Sequence, residues 1–328
     1  MMNRRKFMAT TAGAATGAIA GIMHGAGSER GGAKRFSKFD YIDIHTHLGT
    51  FRYGNPLMPA DLVRMMDRHH IEKAVVLPLV SPESSPYPQT TESALAFAKQ
   101  FPDRLIPFCC VDPRMLTVPP QRSGHVNEKE LVTILKRYKE AGCRGFGEHK
   151  VGLPFDEPRM MRLYQACAEV KLPILFHLDD IRSWDSPGLP RLENALNSFP
   201  DLPFIGHAAG FWTSISGDAT IADFGRYPEL PTPTAPGGAL DRLMKKYPNL
   251  YGDLSEPGGY LAIARDPKFG RGFIIRNAGQ LLFGTDFLSK DQTVPQFEMF
   301  ASLDLPEEVQ YKVFRGNAIR LLNLDLDK

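Results

Sequence analysis

From Phe39 onward, short apolar runs alternate with segments whose apolar residues recur every three or four positions, and the alternation continues to the C-terminus. The short runs predict strands at Tyr41–His45, Lys73–Leu79, Leu105–Val111, Arg144–His149, Ile174–His177, Phe204–His207, Leu250–Leu254 and Leu281–Thr285, the length and composition of buried strands. The periodic segments predict helices at Ala60–His69, Glu92–Phe101, Glu128–Ala141, Pro158–Val170, Arg191–Phe199 and Ala239–Tyr247. Asn127 ahead of Glu128, Lys129 and Glu130 reads as a helix start, because an Asn side chain accepts from the first free N–H groups and acids favour the first turn. Eight strands alternating with helices over about 290 residues predict a (β/α)₈ barrel, a TIM barrel of the α/β class. An open, doubly wound sheet would want a Gly-rich turn after its first strand. That turn here is His45-Thr46-His47-Leu48-Gly49, the wrong chemistry for a phosphate cradle. Residues 208–236, rich in Gly and Pro, are expected to form a long irregular loop after the sixth strand, of the kind that serves a site.

Composition adds bounds. The chain has 328 residues, 43% hydrophobic and 23% charged, enough to bury a large core. The formal net charge is only +2, and the chain has no basic stripe or tail. Neither a nucleic-acid partner nor a membrane surface is therefore expected, and a small-molecule substrate is. Asn3-Arg4-Arg5-Lys6-Phe7-Met8, followed by a weakly hydrophobic Ala/Gly/Thr stretch to about Met23, resembles a twin-arginine export signal. Residues 1–30 are read as that leader and a linker, with His24 inside it, and residues 36–328 as one domain. Cleavage is expected near Ala18-Ile19-Ala20 or Gly25-Ala26-Gly27, with a periplasmic destination for the folded protein. The stretch lacks the Leu, Ile and Val density of a membrane span, so no stable membrane anchor is expected after processing. A homo-oligomer is left open. The four cysteines include no CxxC arrangement. Cys109 and Cys110 fall in an apolar run and read as buried thiols, while Cys143 and Cys167 are candidates for pairing in an oxidising compartment.

The chemistry lies at the strand ends. His45, His177 and His207 end predicted strands, and His47 follows His45 by two residues, so both can project from one face. Asp286 follows the last strand. Barrel active sites gather where the strands end, so these five residues can converge there. A lone strand-end histidine is more often structural than a ligand. A His-x-His pair with two further histidines and an aspartate at ends one, five, six and eight is different, and imidazole with carboxylate suits Zn²⁺ and its neighbours.

The order HxH, His, His, Asp is similar to that of the amidohydrolase superfamily, and more closely of its amidohydrolase-2 group. The stretches that carry the likeness are Tyr41-Ile42-Asp43-Ile44-His45-Thr46-His47, Leu282-Phe283-Gly284-Thr285-Asp286 and Gly316-Asn317-Ala318-Ile319-Arg320-Leu321-Leu322. By that resemblance His45, His47, His177 and Asp286 are metal ligands, and His207 holds a second ion or contacts substrate. On the fourth strand, Gly147-Glu148-His149-Lys150 offers candidates for a residue shared by two ions. Glu148 after a glycine is similar to the bridging Glu of metal-dependent deoxyribonucleases in the same superfamily. The expected cofactor is a divalent metal, zinc first, with one or two ions and two favoured.

The expected reaction is hydrolysis of a lactone, ester or amide by an activated water. Asp286 is cast as the base, and His207, where it is not a ligand, as the group that polarises the substrate carbonyl. The competing readings are non-oxidative decarboxylation of a small carboxylic acid, which the same group includes, and a non-catalytic binding protein on the same fold. Lys150, Arg182 and Trp184 follow strands four and five and are candidates to meet an anionic or aromatic substrate. Phe211 and Trp212 are candidate pocket walls. Asp253, Ser255 and Glu256 close the seventh strand as substrate contacts or solvated rim groups. His69, His70 and His125 are read as structural or exposed.

Overall fold

The computed structural model describes residues 36–51, 54–84, 87–116, 127–255 and 257–326, all within one compact unit, Lys34–Lys328. The leader expected over residues 1–30, with His24, lies outside the described residues, as do His125 and Glu256. Eight strands follow in order: β1 Tyr41–Thr46, β2 Ile71–Val76, β3 Leu105–Pro107, β4 Phe146–His149, β5 Ile174–His177, β6 Phe204–His207, β7 Leu250–Asp253 and β8 Leu281–Leu282. Every pairing between them is parallel, with ladders running β1-β2-β3 and β4-β5-β6-β7-β8. Single bridges close the two remaining seams. Cys109 N–H donates to the Gly145 carbonyl at 2.9 Å and Gly147 N–H to the Cys109 carbonyl at 2.8 Å, joining β3 to β4. Ile44 N–H donates to Phe283 at 3.1 Å and His47 N–H to Phe287 at 3.0 Å, joining β8 to β1. The architecture is a (β/α)₈ barrel.

β3 and β8 fall furthest short of their apolar runs. β3 stops at Pro107, whose main chain faces β4 and has no N–H to donate on that side. β8 stops at Leu282 because the Phe283 N–H turns to the Val313 carbonyl, at 2.9 Å, outside the sheet. Helix Pro158–Val170 coincides with its predicted span, and Glu128–Glu140 begins at the expected cap. There Asn127 Oδ1 accepts from Glu130 N–H at 3.0 Å and Glu130 Oε2 accepts from Asn127 N–H at 2.8 Å. The segment after β6 is less irregular than expected, since it contains a helix, Ala209–Thr213, and a 3₁₀ turn, Ile221–Asp223.

Inside the barrel, Ile42, Ile44, Val75, Leu77, Ile106, Phe108, Leu175, Ile205 and Leu282 pack together with Ala318 and Leu322 of the last helix, Asn317–Leu322. A larger layer, including Tyr41, Phe146, Tyr164, Phe176 and Phe204, joins strands to helices. Burying these side chains, at about 1.5–3 kcal/mol each, is what holds the strand ends in register. All four cysteines are buried and free, so Cys143 and Cys167, candidates for pairing, do not form a disulfide. Among the described residues no helix is long and apolar enough to cross a membrane.

Candidate metal centre

The HxH pair would face the wrong way in a regular β1. Ile42 and Ile44 point into the barrel, and strict alternation would send His45 and His47 out toward the helices. The pairing with β2 prevents this: Asp43 lies opposite Ala74 and Thr46 opposite Val76, three steps against two. One extra residue in β1 bulges the strand and resets the alternation, so His45 and His47 join the inner face at the rim. β4 repeats the device, with Phe146 opposite Ile174 and His149 opposite Phe176. Phe146 packs outward, and regular alternation would take Glu148 with it; the bulge sends Glu148 inward and His149 outward. Gly147 permits it, since its φ is +137° and a Cβ there would lie 2.3 Å from the Leu175 carbonyl oxygen.

The result is a buried group of side chains drawn from β1, β4 and β6 and from the turn after β8. His45 Nε2 and His47 Nε2 stand 3.1 Å apart. Asp286 Oδ1 is 3.4 Å from the first and 3.5 Å from the second, and Glu148 Oε2 is 3.4 Å from His47 Nε2. His207 Nε2 lies 3.8 Å from Asp286 Oδ2 and 3.9 Å from Glu148 Oε1. Two overlapping sets have spacings that could hold an ion: His45, Glu148 and His207, and His45, His47 and Asp286.

Hydrogen placement decides what these atoms can do. His47 Nδ1 is 3.0 Å from the Leu77 carbonyl, which can only accept, so that nitrogen carries the hydrogen. His45 Nδ1 is 2.6 Å from Asp253 Oδ2, with the same consequence. In its neutral form each ring then presents a lone pair at Nε2, and the two Nε2 atoms face each other with carboxylate oxygens beside them. Such a set of acceptors suits a bound cation. Adjacent donors of a tetrahedral ion at about 2.1 Å stand roughly 3.4 Å apart, which matches these spacings. The residues fit a divalent metal.

The buried carboxylates behind and within the group are held ionised by their neighbours. Burial would raise the Glu148 pKa, but Lys150 and His177 outweigh it and hold the carboxyl well below its usual range. Burial likewise would raise Asp253, yet His45 and His207 keep it strongly depressed. Burial lowers the His207 pKa, but hydrogen bonding and charge from Asp253, with Asp286 and Glu148 behind, reverse the sign and leave it raised.

Other expected residues border these two sets or lie apart from them. His177, expected among the ligands, lies beside the two sets: its Nδ1 is 2.7 Å from Glu148 Oε1 and its Nε2 is 3.0 Å from Asp179 Oδ2. Lys150 Nζ is 3.5 Å from Glu148 Oε2. Arg182 is occupied, its guanidinium bonding the Asp179 carboxylate and, at 3.0 Å, the Glu83 carbonyl. Trp212 corrects the expectation of a pocket wall. It is 1% exposed, packs edge-on against Phe211 and Phe273, and donates its indole N–H to the Asp253 carbonyl at 2.8 Å, so it belongs to the core beneath the site. His149 sits 3.0 Å from Met160 Sδ, its pKa pushed down to about 4 by burial, and is a neutral core residue.

Two buried aspartates, little used by the sequence reading, support the group from behind. Asp253 ends β7 and reaches both His45 and His207. Asp43 accepts from His45 N–H and Thr285 N–H at 3.0 Å each and from the Thr285 hydroxyl at 2.6 Å. Gly284 makes room, because a Cβ there would lie 2.4 Å from Asp253 Oδ1. Gly284→Ala is expected to displace that carboxylate and destabilise the fold by about 1–3 kcal/mol. Thermal unfolding checks it, and an unchanged midpoint would mean that the strand end yields freely.

Comparison with known proteins follows the same lines. The amidohydrolase family model matches residues 42–324. None of the curated proteins matches the chain. Among solved structures, a zinc-bound amidohydrolase of Burkholderia multivorans is 15% identical and superposes with a TM-score of 0.58 over 87% of this chain and 100% of that one. A candidate 2-pyrone-4,6-dicarboxylic acid hydrolase from Acinetobacter baumannii, solved with citric acid, is 14% identical, with a TM-score of 0.55 over 87% and 100%. A 2,6-dihydroxybenzoate decarboxylase from Rhizobium is 16% identical, with a TM-score of 0.52 over 87% and 99%. At such identities the likeness to solved structures is one of fold. The family match over nearly the whole barrel carries more, and by it the chain belongs to the amidohydrolase family and is an enzyme of the amidohydrolase type.

Proposed function

We propose that the protein is a metal-dependent hydrolase that directs an activated water at a small-molecule lactone, ester or amide. The observation that carries the reading is the pair of facing Nε2 lone pairs on His45 and His47, flanked by the Glu148 and Asp286 carboxylates. A divalent metal bound there supplies Lewis-acid character and lowers the pKa of a water from 15.7 to about 7.

The chain's own residues do the rest. Asp286 is the most exposed carboxylate of the group, its side chain 15% accessible against 1% for Glu148, so it is the one that can reach a water and a substrate together. It takes the proton of the attacking water and returns it to the leaving group. Glu148 has one oxygen toward His47 and the other toward His177 and His207, the disposition of a carboxylate shared between two positions. This supports two ions over one. Of the two roles expected for His207, ligand of a second ion or substrate contact, the surroundings of its Nδ1 support the ligand. With Asp253 and Ser255 at its Nδ1, the ring offers a lone pair at Nε2 once a cation displaces any proton there, which suits a ligand.

The test is metal content per chain together with a panel of lactones, esters, amides and small aromatic acids. The expected result is close to two equivalents of a divalent metal, zinc first, and acid release that a chelator abolishes and metal restores. One equivalent in fully active protein removes the shared role of Glu148. Carbon dioxide release without acid release from a lactone or ester replaces hydrolysis by decarboxylation.

A further inference from the structure

We infer that Asp253 sets the donor lone pairs of this centre, holding two imidazoles at once in the form a cation requires. The inference rests on the metal-dependent reading above and names a positioning residue for it. Asp253 ends β7 and is fully buried. Its Oδ2 lies 2.6 Å from His45 Nδ1, 3.1 Å from His207 Nδ1 and 2.8 Å from the Ser255 hydroxyl, and its Oδ1 accepts from Ser255 N–H at 3.0 Å. A carboxylate only accepts, so a ring nitrogen without hydrogen at these distances would set lone pair against lone pair. His207 Nδ1 also lies 3.0 Å from the Ser255 hydroxyl, whose own hydrogen goes to Asp253, so that hydroxyl too can only accept from the ring; when neutral, both rings therefore carry the hydrogen on Nδ1 and leave Nε2 bare. Those bare atoms are the ones that meet Asp286 and Glu148.

The third imidazole differs. His47 takes its hydrogen placement from the Leu77 main-chain carbonyl, which no side-chain substitution removes. The donor set thus divides into one ring fixed by backbone and two fixed by Asp253. An amide at position 253 changes this with little change in shape. Its NH₂ can donate to Nδ1, which moves the ring hydrogen to Nε2 and points an N–H bond into the centre. A carboxylate-to-amide change behind a catalytic imidazole produces the same wrong tautomer in serine proteases. Loss of one outer partner of a metal-bound His costs roughly 10–100-fold in metal affinity, and with two rings sharing Asp253 the effect belongs at the upper end, about 100-fold.

Two measurements test the inference. In chelator-treated wild-type protein at mildly alkaline pH, ¹⁵N-edited spectra of the histidine rings are expected to show hydrogen on Nδ1 of both His45 and His207. Asp253→Asn is expected to show an Nε2–H ring and, in competition with a chelating indicator, to bind zinc about 100-fold more weakly than wild type. A wild-type His45 or His207 ring with its hydrogen on Nε2 overturns the inference, even where the variant does not fold. Asp253→Asn that folds and binds zinc as tightly as wild type overturns it too. A wild-type chain that binds no zinc, cobalt or manganese overturns the metal-dependent reading instead, while the wild-type ring spectra still decide the hydrogen placement.

Discussion

Asp286→Asn is expected to lower turnover by roughly 10³-fold or more on the best substrate of the hydrolysis panel while leaving the fold intact, the scale of losing a positioned general base. The fold survives for a local reason. Asp286 sits at φ +49°, in the left-handed region, where Asn is one of the few side chains tolerated. Its backbone is held independently of its side chain: Gln292 donates to the Asp286 carbonyl at 2.9 Å and accepts from Leu288 N–H at 2.9 Å. The amide keeps one oxygen that can face His45 and His47, so part of the metal affinity remains, but it cannot take a proton from water. Loss of turnover with an unchanged far-UV spectrum and retained metal would isolate the base role. Turnover within tenfold of wild type would take that role from Asp286.

The positions of the candidate ligands were more legible than their direction. Spacing alone put His45 and His47 on one face, strand ends brought His207 and Asp286 to the same rim, and Glu148 came from a family resemblance. Which face was not legible. Counting outward from Ile42 and Ile44, or from Phe146, regular alternation would have turned His45 and Glu148 to the helices, and only the bulges in β1 and β4 reverse it. A bulge is set by pairing with a neighbour strand, and neither partner's register is written in the local sequence. Asp253 was within reach, since it ends its strand as the histidines end theirs, but a strand-end acid reads equally well as a solvated rim group. Trp212 shows the opposite error. Loop length suggested a role at the site, while Ala208, Phe211, Trp212 and Ile215 follow helical spacing and are all buried.

Asp43→Ala is expected to destabilise the protein by about 3–5 kcal/mol, because three buried donors lose one shared acceptor at roughly 1–3 kcal/mol each before relaxation. The site of the loss matters as much as its size. Asp43 receives His45 N–H, Thr285 N–H and the Thr285 hydroxyl, and the Thr285 oxygen in turn accepts from Phe287 N–H at 3.2 Å. The two Thr285 bonds cross the β1–β8 seam, which among the described residues otherwise has one bridge, Thr46 to Phe287, and two main-chain bonds, from Ile44 and His47. The staple thus ties the strand that carries the HxH pair to the turn that carries Asp286. Asp43→Asn should be far milder, about 1 kcal/mol, since its oxygen still accepts both backbone N–H groups and its NH₂ can donate to a rotated Thr285 hydroxyl. Burial also favours the exchange: it pushes the Asp43 pKa up to about 7, and a neutral amide carries none of that desolvation penalty. Urea unfolding of both variants, read at constant m-value, separates the two outcomes. An Ala variant within about 0.5 kcal/mol of wild type, the range of an ordinary surface change, would mean that the backbone bridges alone close the barrel and that Asp43 has no hold on the metal centre.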